Sequence, residues 1–158
     1  MRKRSLLLFL FAGSLFAAEP FVGTWKLNVA KSKHGGGPLP EEKEETMVVA
    51  VVDGQFAVTV NGTAVDGSPI SMKYTVPTTG GPVQFLEGGP PAGSGITSTL
   101  KKRKADSNTV DSADAKDGKV YETVHTVVSA DGKSVHSIAN GIDPQGKKYV
   151  NIGVSDKQ

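Results

Sequence analysis

Three histidines, His34, His125 and His136, are the side chains in this sequence best suited to metal binding or to proton transfer near neutral pH. The chain has no cysteine, so a zinc site would depend on these histidines converging. Convergence of His125 and His136 depends on the turn at Asp131 and Gly132. A two-residue turn puts both histidines on one polar face, whereas a three-residue turn with a bulge puts them on opposite faces. We favour the two-residue turn, which makes the pair a weak candidate for a metal or catalytic site.

The other chemically suggestive runs match no catalytic motif. Residues 101–104 read Lys-Lys-Arg-Lys and predict a charged strand end, either solvated or forming an anion-binding rim. Acidic pairs at 41–42 and 44–45 lie beside no aromatic pocket that would prepare a carboxyl group for acid catalysis. The serine at 94 follows two prolines and not a strand-to-helix turn, so it is not a hydrolase nucleophile. We therefore favour a non-enzymatic role and expect no cofactor.

The first eighteen residues have the order of a secretory signal peptide. Arg2, Lys3 and Arg4 precede an apolar stretch over 6–11, and small residues follow at 17 and 18. The apolar stretch is shorter than the roughly 20 residues that a membrane-spanning helix needs. We expect cleavage after Ala18, a periplasmic or secreted mature protein, and no membrane span.

The mature charge argues against nucleic acid as a partner. The leader contains three of the 18 basic residues and none of the 16 acidic ones, which leaves 15 against 16 and a net charge of about −1. A near-neutral surface does not attract a polyanion. Residues 19–158 are enough to bury one core without disulfides, so we expect a single domain over that range.

The mature sequence has the pattern of strands and turns. Short runs rich in Val, Thr, Ile and Tyr alternate with Asx-Gly pairs, which are strong signals for tight hairpins. These pairs fall at 53–54, 61–62, 66–67, 117–118, 131–132 and 140–141. No apolar stripe with helical spacing runs through the mature chain. The sequence predicts an all-β fold: one antiparallel up-and-down barrel of about 8–10 strands.

A two-residue turn at 53–54 aligns the flanking strands so that their apolar residues share one face. A second turn at 61–62 would then place Val65 opposite Val58. Alternation over 70–76 adds further apolar residues to that side. The residues expected to line a ligand cavity inside the barrel are Met47, Val49, Val51, Phe56, Val58, Met72 and Tyr74.

The segment 23–28, Gly-Thr-Trp-Lys-Leu-Asn, resembles the first strand of lipocalins and their barrel relatives. It is also similar to the start of a group of small exported bacterial proteins with a lipocalin-like barrel. In the lipocalin superfamily the tryptophan closes the narrow end of the barrel beneath a basic side chain from the last strand. The resemblance implies that Gly23, Trp25 and Lys157 form this closure, a structural and not a catalytic role.

These features together predict an exported binding protein that holds a small apolar or amphiphilic molecule inside a barrel. Two alternatives stay open. One is a structural or interaction module of the cell envelope with a solid core. The other is a barrel with a metal or catalytic site built on His125 and His136.

Overall fold

The computed structural model describes residues 19–104 and 106–158, and the predicted signal peptide over 1–18 lies outside the described residues. Eleven strands and one short 3₁₀ helix make up its regular structure. In chain order they are β1 (Gly23–Leu27), the 3₁₀ helix (Val29–Lys31), β2 (Glu42–Val52), β3 (Gln55–Ala64), β4 (Pro69–Pro77), β5 (Gly81–Pro82), β6 (Gln84–Glu87), β7 (Ile96–Leu100), β8 (Thr109–Lys116), β9 (Lys119–Val128), β10 (Ser134–Ile142) and β11 (Lys148–Lys157).

All strands belong to one antiparallel sheet in the order β5-β7-β8-β9-β10-β11-β1-β2-β3-β4-β6. The two outer members of this order, β5 and β6, are consecutive in the chain. Because β5 pairs with β7 and β6 pairs with β4, the segment 81–87 nearly joins the two edges of the sheet. The predicted all-β, antiparallel barrel is therefore confirmed, with two short strands taking the count above the expected 8–10.

The hairpin at Asp53 and Gly54 has the predicted register. Both residues have positive φ, and Val52 pairs with Gln55. The loop between β9 and β10 also keeps the favoured register, since Val127 pairs with His136.

Two of the six Asx-Gly pairs form no turn, contrary to prediction. The pair at 61–62 lies inside β3, so Tyr74 and not Val65 is opposite Val58. The pair at 140–141 lies inside β10. Glycine is required at 62 and 141 for another reason. A Cβ at 62 would overlap the Glu44 backbone, and a Cβ at 141 would overlap the Tyr149 ring. Close packing, and not positive φ, is what requires glycine there.

The inner face of the sheet is apolar toward one end of the barrel. That end is formed by the start of β1, the β2–β3, β7–β8 and β9–β10 connections and the end of β11; we call it the closed end. The opposite end, with the β1–β2, β8–β9 and β10–β11 connections, we call the open end. The buried core cluster consists of Phe21, Trp25, Val49, Phe56, Val58, Val60, Val76, Leu100, Val128 and Val135.

Candidate functional site

The closed end is centred on Trp25, which is almost fully buried. Its indole nitrogen donates to the backbone oxygen of Phe21 at 2.9 Å, and the Lys157 ammonium lies 5.0 Å from the ring centroid. A Cβ on Gly23, whose φ is +146°, would collide with the Lys157 side chain. The structure thus brings together the three residues that the resemblance named, as a packed plug and not as a cavity.

Arg103 completes this plug, and sequence reasoning missed its role. Its guanidinium binds both carboxylate oxygens of Glu19, at 2.6 and 3.0 Å, and donates to the backbone oxygens of Thr78 and Ser107. It also lies over the rings of Phe21 and Phe56, about 5 Å from each centroid. The basic run suggested only a charged strand end, and its lysines at 101, 102 and 104 are indeed exposed. No signal in the run separates Arg103 from these lysines.

The residues predicted to line a ligand cavity belong mostly to the core. Val49, Phe56 and Val58 are buried within the core cluster, while Met47, Met72 and Tyr74 pack against it and are partly buried. Val51, next to the β2–β3 turn, is exposed. The apolar inner face predicted from alternation therefore supplies packing in the closed half of the barrel.

Toward the open end the same inner face becomes acidic. Glu45 shares the face of Val49, and Asp114 pairs with Glu122 across β8 and β9. Burial and the nearby Glu42 charge raise the pKa of Glu45 to about 7. Burial and the charges of Glu45 and Asp114 raise the pKa of Tyr74 to about 12. The open half thus holds carboxylates in an environment that disfavours their charge.

Glu122 and Tyr149 form the most buried polar pair in this half. They are 8% and 5% exposed, and the Tyr149 hydroxyl donates to Glu122 Oε2 at 2.6 Å. Burial and the Asp114 charge raise the pKa of Glu122 against the opposing effect of this hydrogen bond. The Tyr149 ring fits between Gly141 and Gly37, at both of which a side chain would strike the ring. Gly141 in β10 and Gly37 in the β1–β2 connection therefore set the position of this tyrosine.

A cavity of about 290 Å³ lies on the outer face of the sheet, at the ends of β9, β10 and β11 nearest the open end. We call it the mouth cavity. It is lined by Val120, Tyr121, Glu122, Thr123, Asn140, Gly141, Ile142, Lys148, Tyr149 and Val150. Its wall is mainly apolar, and the side chains at Thr123, Asn140, Ile142, Lys148 and Val150 share the outer face of the sheet, opposite to the Glu122 and Tyr149 side chains.

The two candidate histidines lie on the outer face of β9 and β10 and are exposed. His125 Nδ1 is 2.7 Å from Asp111 Oδ1, and His136 Nε2 is 2.9 Å from the Ser134 hydroxyl. A second cavity, of about 250 Å³, adjoins His125 and Asp111. Within residues 19–104 and 106–158, no three His, Cys, Asp or Glu side chains are placed to hold a metal ion. Each histidine is instead paired with a different polar neighbour.

Comparison with known proteins finds a structural likeness. The crystal structure of Rv2717c from M. tuberculosis superposes with a TM-score of 0.58 at 17% sequence identity, over 93% of this chain and 98% of that one. At this identity the likeness concerns the fold. No protein-family model and no curated protein matches the sequence. In the part of the chain that the structure describes, no helix has the length and apolarity to cross a bilayer.

Proposed function

We propose that the protein binds one small apolar or amphiphilic molecule in the mouth cavity and catalyses no reaction on it. The observation that carries the proposal is the contrast between the two ends of the barrel. Aromatic side chains and the Arg103 guanidinium fill the closed end, whereas the strand ends at the open end have a largely apolar cavity on their outer face. A rigid sheet that positions a partly apolar cavity is a common binding scaffold.

The position of the cavity differs from the site expected from sequence. Its apolar contacts come from Val120, Ile142 and Val150 at the ends of strands, and not from the core valines of β2 and β3. A ligand would therefore sit on the outer side of this rim, with its apolar part against these side chains.

Binding is tested with prodan, a neutral fluorophore whose emission shifts to the blue in apolar surroundings. We expect a saturable blue shift with one probe per chain. Ile142 is 47% exposed at the cavity rim, so an Ile142→Trp change can fill the cavity without disturbing the core. This variant is expected to weaken prodan binding at least about tenfold, equivalent to about 1.4 kcal/mol.

The matched control is Val48→Trp, which places the same ring on the outer face of β2, where Val48 is 42% exposed. This variant is expected to bind prodan like the original protein. An original protein that gives no blue shift, or two variants that lose binding equally, would rule out the mouth cavity as the site.

We further propose export and lipocalin-like ancestry, which rest on the leader pattern and on the segment 23–28. The barrel includes Glu19 through its ion pair with Arg103, which agrees with a mature chain that begins there. N-terminal sequencing of the protein recovered from the periplasm tests this, and recovery of an uncut chain from the cytoplasm would contradict it.

A second candidate function is an interaction module of the cell envelope. The outer face of β10 and β11 exposes Ile138, Ile142, Val150 and Ile152, and Ile138 pairs directly with Ile152. Neighbouring exposed aliphatic side chains are typical of contact surfaces. This role predicts that an Ile138→Lys and Ile152→Lys double variant loses association with the envelope fraction, in a protein that binds no prodan.

A further inference from the structure

We propose that the outer face of β10 and β11 docks on an anionic lipid surface, where aliphatic side chains enter the head-group layer and lysines contact lipid phosphate. The inference rests on the second candidate function, the envelope interaction module, and specifies its partner. Two observations on the same face carry it: a contiguous group of exposed aliphatic side chains and a border of lysines.

The aliphatic side chains form one contiguous group, which we call the outer patch: Ile138, Ile142, Val150 and Ile152. All four are exposed, and Ile138 pairs directly with Ile152 across β10 and β11. Alternate residues of a strand point to the same face, so these side chains stand out together from the barrel wall. Adjoining exposed aliphatic side chains indicate a surface that contacts something other than water.

Lysines border the outer patch on two sides. Lys148 pairs with Ile142 near the open end, and Lys33 pairs with Ile152 through two backbone hydrogen bonds of 2.7 and 2.8 Å. Cross-strand partners lie on the same face of a sheet, so both lysine side chains belong to the outer face. Both are exposed, and neither forms an ion pair within residues 19–104 and 106–158. Their charges are therefore available to an anionic partner.

Positive charge exceeds negative charge around the outer patch. Lys147 and Asp143 lie together in the β10–β11 connection, and Asp111 is paired with His125 on the β9 side. The two bordering lysines add to these pairs. An isologous contact with a second copy would bring the same positive border against itself, whereas an anionic lipid surface complements it. The combination of aliphatic side chains and lysines is typical of proteins that bind at a membrane interface.

The test measures cosedimentation of the whole protein with vesicles of phosphatidylcholine alone and with vesicles that also contain phosphatidylglycerol. We expect binding to be at least about tenfold tighter to the anionic vesicles and to weaken as salt is added. A Lys33→Gln and Lys148→Gln double variant should lose at least about tenfold in affinity for the anionic vesicles, since each lysine near such a surface contributes roughly fivefold. The matched control, Lys102→Gln with Lys104→Gln, removes the same charge from exposed lysines at the closed end and should bind like the original protein.

The aliphatic contribution is tested by an Ile138→Thr and Ile152→Thr double variant. Threonine keeps the β-branched shape that suits a strand but removes apolar surface. We expect binding to the anionic vesicles to fall at least about fivefold. The control is Val48→Thr with Val52→Thr, which makes the same kind of change at exposed residues on the outer face of β2 and should leave binding unchanged.

A site-specific label locates the contact without depending on the double variants. The chain has no cysteine, so an Ile152→Cys variant can be labelled at one position with acrylodan, whose emission shifts to the blue in apolar surroundings. We expect a blue shift when anionic vesicles are added. The same label on a Val48→Cys variant should not respond.

The outcomes separate this inference from the role on which it rests. Equal binding to the two kinds of vesicle, or a blue shift of the label on β2 and not on β11, overturns the inference. Binding to the envelope fraction but not to protein-free vesicles also overturns it, and leaves the second candidate function intact with a protein as the partner. Binding to neither overturns both. A dimer in sedimentation equilibrium that the isoleucine double variant abolishes would identify a second copy as the occupant and likewise overturn the lipid inference.

Discussion

The two ends of this barrel treat buried charge in opposite ways. At the closed end the Arg103 guanidinium and the Glu19 carboxylate neutralise each other and are enclosed by Phe21 and Phe56. At the open end Glu45 and Glu122 lie on the same inner face without a cationic partner among the described residues. The same sheet therefore pairs its buried charges at one end and leaves buried carboxylates without a cation at the other.

The physical reason is the cost of removing a charge from water. A buried ion pair with additional hydrogen bonds offsets that cost. A buried carboxylate without a cation does not, and its pKa is raised because burial disfavours the charged form. Arg103 has these additional contacts to the backbone oxygens of Thr78 and Ser107. Glu45 has a pKa raised to about 7 instead. Removing the charge of Arg103 should therefore lower the free energy of unfolding, whereas removing the charge of Glu45 should raise it.

The largest effect is expected at Arg103. An Arg103→Met change leaves the Glu19 carboxylate without its partner and removes the cation from the rings of Phe21 and Phe56. We expect a loss of about 3–5 kcal/mol in the free energy of unfolding, measured by urea denaturation. Lys102→Met, at an exposed neighbour, should change it by less than about 0.5 kcal/mol. Equal losses in both variants would show that the closed end does not depend on this ion pair.

An effect of opposite sign is expected at Glu45. Its pKa is raised from 4.5 in the unfolded chain to about 7 in the fold, so the folded state binds the proton more tightly. The stability that protonation gives is present below about pH 4.5 and is lost as the pH rises through 7. Glu45→Gln should therefore increase the free energy of unfolding by about 3 kcal/mol at pH 8 and change it little at pH 4.5.

The control for this change is Glu44→Gln, at an exposed neighbour that accepts from the Thr63 hydroxyl. Thermal melts of both variants between pH 4.5 and 8 provide the measurement. A Glu45→Gln variant whose melting temperature follows the original protein at every pH would contradict the account of the open end.

The smallest effect is expected at Lys157. Its ammonium lies 5.0 Å from the Trp25 ring centroid at the edge of the closed end, where solvent reaches it. Lys157→Met keeps much of the covering chain but removes the charge, so a loss of about 0.5–1 kcal/mol is expected. Lys148→Met on the same strand is the comparison, and a loss of the same size there would show that the ring contact contributes nothing specific.

The strand pattern and the closed-end tryptophan could be read from the sequence because both depend on local rules. Alternation of apolar residues identifies the face of Val49 and Val58, and the turn at 53–54 fixes their register. The same local rule failed at 61–62 and 140–141, where glycine meets a packing requirement set by another strand. In the sequence, an Asn-Gly pair that forms a turn cannot be distinguished from one whose glycine makes room for a neighbouring strand.

The Glu122–Tyr149 pair at the open end could not be predicted for a related reason. Glu122 and Tyr149 are 27 residues apart, and Gly37 and Gly141, which make room for the tyrosine ring, come from two further positions. In the sequence Glu122 is one polar residue within an alternating strand pattern, and no motif around it indicates a buried site. Its burial follows only from the register that pairs β8, β9, β10 and β11. The same is true of Arg103, whose partner Glu19 lies 84 residues earlier in the chain.

The difference between the two ends is tested most directly by a two-dimensional NMR titration of the protein with prodan. Trp25 is the only tryptophan, so its indole N–H signal reports on the closed end alone, while the amides of Gly141 and Tyr149 report on the mouth cavity. We expect saturable shifts at Gly141 and Tyr149 with the indole signal unmoved. A titration that moves the indole signal, or the outer-face amide of His125, while Gly141 and Tyr149 stay in place would contradict it.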